Sequence, residues 1–96
     1  MRGSKRKAEI ESNAMRITGW LLDHRTDFES GGISEQALLA SGAVPGTEEA
    51  REAIDHLESR EDLVRWPQAL SSPPSVALKP GRNWPVTREK MLTAKA

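Results

Sequence analysis

From Glu9 to about Asp27 the apolar residues recur at helical spacing. Ile10, Ala14, Ile17, Leu21 and Phe28 stand four, three, four and seven positions apart. Trp20 and His24 lie on the edge of the same face, and Gly19 interrupts it. This predicts a first, longest helix whose apolar face supports the later elements of the chain. Glu29-Ser30-Gly31-Gly32 ends it, with Gly31 or Gly32 able to supply a left-handed cap. Gly32-Ile33-Ser34 reads as a short strand-like entry with Ile33 inward, and Ser34 as the N-cap of a short helix over Glu35–Ala40. In that helix Ala37, Leu38 and Leu39 are expected to face the core. Ser41-Gly42 stops it, and Pro45-Gly46 forces a turn.

The strongest helical signal begins at Thr47 and runs to Arg60. Ala50, Ala53, Ile54 and Leu57 make one stripe at three- and four-residue spacing. Thr47 is the expected N-cap, and Glu48 and Glu49 suit the positive end of the helix dipole. Arg51 and Asp55 are set for an ion pair one turn apart. After the polar connection Ser59–Asp62, Leu63–Trp66 reads as a strand, and Val76–Leu78 as a second. Antiparallel pairing of the two would make the Pro/Ser-rich stretch between them, Pro67 to Ser75, the tip of a ribbon. Trp84 is expected to pack back across the core. Residues 87–96 read as a short, frayed helix with Thr87 as its cap.

Composition bounds the chemistry. Ninety-six residues allow one small domain. One Phe, no Tyr and three Trp leave most of the core to aliphatic residues. The absence of Cys removes disulfides, thiolate metal sites and thiol catalysis, and is compatible with the cytoplasm, where we place the protein. No apolar run approaches the roughly 18–20 residues that span a bilayer, and the N-terminal residues lack a secretory h-region, so no membrane partner is expected.

The net charge is zero, but the charges are segregated. Residues 1–8 carry Arg2, Lys5, Arg6 and Lys7 without an acid and read as a flexible basic tail. Met1-Arg2-Gly3-Ser4 resembles a vector-derived start. Ser12-Asn13-Ala14 ahead of Met15 resembles a protease-cleavage scar, which would begin the native chain at Met15. Residues 9–62 hold 13 of the 14 acids against four arginines, whereas residues 63–96 hold six cations against Glu89. An anionic partner is therefore repelled by the middle of the chain and attracted by its ends.

The order helix, short strand, helix, turn, helix, strand, wing, strand resembles the winged helix-turn-helix family. Gly32-Ile33-Ser34, Leu38-Leu39, the Gly42–Gly46 turn, Ala50/Ile54/Leu57, Leu63-Val64 and Val76-Ala77-Leu78 carry the resemblance. More narrowly, Trp20-Leu21-Leu22-x-His24 and Leu78-Lys79-Pro80-Gly81 are similar to small winged-helix domains appended to phage and plasmid replication proteins. The resemblance implies an α+β, mainly α fold over residues 9–86, with three helices and a small antiparallel β-wing. It also implies DNA binding, with the third helix in the major groove and basic wing residues on phosphate.

The third helix does not suit that role. Opposite its apolar stripe it presents Glu48, Glu52, Asp55 and Ser59, where base readout asks for Arg, Lys, Asn or Gln. The expected phosphate contacts move to the wing and the basic C-terminal segment: Arg65, Gln68, Ser71, Ser72, Lys79, Arg82 and Arg88. Trp66 and Trp84 are packing residues first and base-stacking residues second. The alternative is a protein-interaction module whose acidic helix face, Glu48, Glu52, Asp55 and Ser59, docks on a basic partner or a second copy. Otherwise that face is a solvated surface.

Nothing points to catalysis or to a cofactor. His24 and His56 lie on separate helices with no third ligand at a diagnostic spacing. Gly31-Gly32 and Gly42-x-x-x-Gly46 lack the Lys-Ser/Thr of a phosphate loop. The sequence is thus read as a non-enzymatic, DNA-associated domain.

Overall fold

The computed structural model describes residues 2–68 and 75–95. In chain order its elements are α1 (Arg2–Asp23), α2 (Arg25–Ser30), β1 (Ile33–Ser34), α3 (Glu35–Ser41), α4 (Thr47–Ser59), β2 (Leu63–Gln68), β3 (Ser75–Pro80) and α5 (Trp84–Lys95). The architecture is mainly helical with a small three-stranded antiparallel sheet.

The apolar stripe of the first helix does its expected work, but the helix has different limits. It starts at Arg2, so the residues read as a basic tail form its first turns. Ala14, Ile17, Leu21 and Leu22 are buried, and α1 packs along α4, which contributes Ala50, Ala53, Ile54 and Leu57. The helix stops at Asp23 instead of continuing to Asp27. At His24 the backbone leaves helical geometry (φ −111°, ψ 25°), and the His24 ring stacks on Trp20 at 4.2 Å. The break starts α2 and re-aims the fully buried Phe28 edge-on against Trp84, 4.9 Å between centroids.

Two caps differ from expectation. Ser34 does occupy the N-cap of α3, but its side chain makes no capping hydrogen bond. Gly46 takes the N-cap position of α4, and Thr47 is already inside the helix. In α3 Leu38 is buried and Leu39 half-buried, while Ala37 faces solvent.

The strands pair as expected and extend further. β2 runs antiparallel to β3 from Leu63↔Pro80 to Gln68↔Ser75. β1 adds to the other side of β3 through Ile33↔Leu78 and Ser34↔Ala77, giving the order β1-β3-β2. Gly32, just ahead of β1, has φ +91°, and a Cβ there would meet Lys79 Cγ at 2.9 Å and the Leu78 carbonyl at 3.0 Å. Both the backbone angle and the close approach require glycine.

Because directly opposed residues share a face, Leu63, Arg65, Leu78 and Ile33 point to the helices and Val64, Trp66, Ala77, Lys79 and Ser34 point away. Leu63 and Leu78 are fully buried and Val64 and Trp66 exposed, as this parity requires, while Ala77, in the central strand, is covered although it lies on the outward side.

The last helix begins three residues earlier than expected, at Trp84 and not at Thr87. Trp84 opens α5 and is buried against Phe28, and Pro85 sits in the first turn, where its missing N–H costs nothing. The Thr87 N–H donates to the Asn83 carbonyl at 3.1 Å. Buried Asp62 accepts hydrogen bonds from Asn83 Nδ2 (2.9 Å) and Thr87 Oγ1 (2.6 Å), which ties the start of β2 to the start of α5.

Candidate nucleic-acid interface

Of the expected phosphate contacts Arg65 lies nearest the centre of the ribbon, and its direction decides its role. It shares the helix-facing side with Leu63 and Leu78, so its guanidinium reaches the helices and not the solvent beyond the ribbon. Nε donates to Glu35 at 2.9 Å. Nη1 donates to Glu58 at 3.2 Å and also to Asp55. Burial alone would lower the Arg65 pKa, but hydrogen bonds and charges from Asp55 and Glu35 more than offset this and hold it above the ordinary value. The residue clasps α3 and α4 to the sheet. It also takes the Asp55 carboxylate that the sequence assigned to Arg51.

A guanidinium satisfied by three carboxylates has little left for a phosphate. Arg65→Gln is therefore expected to lower stability by about 2 kcal/mol, the scale of charge-assisted hydrogen bonds lost from a partly buried site. Urea denaturation checks this. Stability within 0.5 kcal/mol of the parent would mean that the clasp contributes nothing.

The other expected phosphate contacts divide by position. Arg88, on α5, donates to Glu29 at 2.9 Å. Glu29 also accepts the Trp84 indole N–H at 2.7 Å. That bond is the main cause of its lowered pKa; desolvation opposes it, and Arg88 and Arg25 add to it. Lys79 lies on the outward face of β3, and Arg82 is exposed in the turn after it. Neither has a carboxylate partner among the described residues. Gln68 ends β2 at the opposite end of the ribbon from Leu63 and Pro80, about 17 Å away by strand rise. Ser71 and Ser72 lie outside the described residues. Of the cations expected to contact phosphate, the two without a carboxylate partner among the described residues are thus at the base of the ribbon, on the outward face and in the adjoining turn.

The acidic face of α4 is less open than its sequence suggests. Glu48 is exposed, but Glu52 pairs with Arg6 of α1 and Asp55 with Arg65. The Ser59 hydroxyl donates to the His56 carbonyl at 2.7 Å. Two of the three carboxylates therefore already have cationic partners within the chain.

The tryptophans separate sharply. Trp84 is 2% exposed, whereas Trp66 is 57% exposed on the outward face, with Lys79 Nζ 4.8 Å from its ring centroid. Strand parity counted from Leu63 carries the signal for this difference, provided Leu63 is known to point inward.

Two cavities open on the described surface. One, of about 600 Å³, lies between α1 and the α3–α4 turn, lined by Glu9, Asn13, Arg16, Val44, Pro45 and Glu49. The other, about 210 Å³, opens beside Asp62, whose Oδ2 accepts no hydrogen bond among the described residues and lies 3.6 Å from the Arg60 guanidinium. Among the described residues no cluster of His, Asp and Glu is arranged to hold a metal ion, and no helix is long and apolar enough to cross a membrane. No protein-family model, curated protein or solved structure matches the chain.

Proposed function

We propose that the chain is a winged-helix domain that associates with DNA through its β2–β3 ribbon. Lys79 and Arg82 contact backbone phosphates, and α4 contributes little base readout. The observation that carries this reading is the ribbon's base, where Lys79 and Arg82 have no carboxylate partner among the described residues while Arg65 and Arg88 are engaged within the chain. The strand ahead of the helix pair adds to the ribbon's return strand, in keeping with the element order on which the family resemblance rests. The acidic face of α4 gives a basic protein partner less purchase, because Glu52 and Asp55 are already paired.

Binding of this kind is steep in salt and weakly dependent on sequence. With about two phosphates neutralised, affinity for a duplex should fall roughly 12-fold between about 50 and 200 mM salt. Anisotropy titrations with two unrelated 20-base-pair duplexes test it. Lys79→Gln with Arg82→Gln should flatten the salt slope, and Glu48→Lys should raise affinity. Absence of binding at low salt would sink the proposal.

A further inference from the structure

We infer that the outward face of the ribbon is a stacking platform for unpaired nucleotides, with Trp66 as the ring and Lys79 beside it for the flanking phosphate. This rests on the DNA-binding reading above and narrows it to single strands, or to the unpaired parts of a duplex.

Three observations carry the inference. First, parity places Trp66 outward, and 57% of it is exposed, with Val64 exposed on the same face. A large aromatic held in solvent on a regular strand is available to a flat ligand, and its position on a paired strand fixes where the ring is presented. Second, the residue opposite is Ala77, whose methyl group offers the indole no wall on the outer side. Third, the charge on this face is of one sign. Val64, Trp66, Ala77, Lys79, Ser75 and Ser34 share it by register, and none is acidic. The Lys79 ammonium lies over the ring, 4.8 Å from its centroid, so a base that stacks on that face displaces the flexible lysine toward the base's own phosphate. An acidic or wholly apolar protein surface would use only half of this pairing. A base inside a duplex has both faces covered, so only an unpaired base can use the ring.

The test compares fluorescently labelled oligothymidylate of twelve nucleotides with a twelve-base-pair blunt duplex at low salt. The proteins are the parent, Trp66→Ala and Trp66→Phe, each checked for folding by far-ultraviolet circular dichroism. Oligothymidylate affinity should fall about tenfold or more in Trp66→Ala and be largely kept in Trp66→Phe. Duplex affinity should stay within about twofold in both, because the phosphate contacts are untouched. Duplex binding with no effect of Trp66→Ala on oligothymidylate would overturn the stacking inference alone. Failure of the parent to bind either ligand would overturn the DNA reading, and this inference with it. If sedimentation shows a parent dimer that Trp66→Ala dissociates, the face is a contact between copies and the inference is wrong.

Discussion

Replacing Trp84 with alanine is expected to cost about 3–5 kcal/mol, the range for removing a large aromatic from a well-packed site. The residue is 2% exposed, so its ring has no water to fall back on and its removal leaves a cavity. It meets Phe28 edge-on at 4.9 Å, and this pair is where α5 and α2 join the core. It also donates its indole N–H to Glu29, which in turn accepts from Arg88. For a domain of this size, such a loss is a large part of the total stability. Urea denaturation measures it; a change under 1 kcal/mol would show that α5 does not depend on the anchor.

Trp84→Phe separates ring from donor. It keeps most of the apolar contact and removes the largest cause of the lowered Glu29 pKa. A carboxylate with a lowered folded-state pKa contributes stability that is full above its ordinary value of 4.5 and fades as pH falls through the lowered one. The phenylalanine variant should therefore show a shallower loss of stability on the acid side. Trp66→Ala gives the contrast, with stability within about 0.5 kcal/mol of the parent, because an exposed ring has no cavity to leave.

Gly81→Ala should lower stability by about 3 kcal/mol through overpacking. A Cβ at Gly81 would lie 2.2 Å from the Glu61 carbonyl oxygen and 2.7 Å from its carbon. Those are backbone atoms of the neighbouring turn and have no rotamer by which to yield. The two turns are also bonded together: the Gly81 N–H donates to the Asp62 carbonyl at 3.1 Å, and the Asn83 N–H to the Glu61 carbonyl at 2.8 Å. Relief means separating them, which strains the buried Asp62–Asn83–Thr87 bonds and shifts α5 relative to β2. Thermal unfolding followed by circular dichroism reads the loss; an unchanged midpoint would mean that the turns separate freely.

Much of the architecture is legible along the chain where the signal is local. The Ala50/Ala53/Ile54/Leu57 stripe names a helix and its buried face in one stroke, because helical period and burial are the same pattern. The β2–β3 pairing follows from two β-prone runs flanking a proline-rich stretch. Local rules failed where one element had to fit another. The break at His24 has no proline or glycine to announce it, and its consequence is the placement of Phe28 against a residue 56 positions away. The N-cap of α4 fell to Gly46 although Thr47 is the better capping residue, and Thr47 became the first residue of the helix.

The candidate interface was less legible than the fold. Arg65 and Lys79 look equivalent in sequence, two cations on adjacent strands. One is turned inward to three carboxylates and the other outward beside an exposed indole. Parity along each strand orders the two sets, but which set faces the helices depends on where the helices lie.

By itself, then, the sequence determined the number and type of most elements, the apolar stripes that bury them and the segregation of charge, since each is written in spacing over one or two turns or in local composition. The tertiary structure alone decided which cations are already satisfied, which tryptophan is core and which is surface, and where α5 begins. Those depend on distances between residues tens of positions apart, and chain spacing does not encode such distances until helices and sheet have packed.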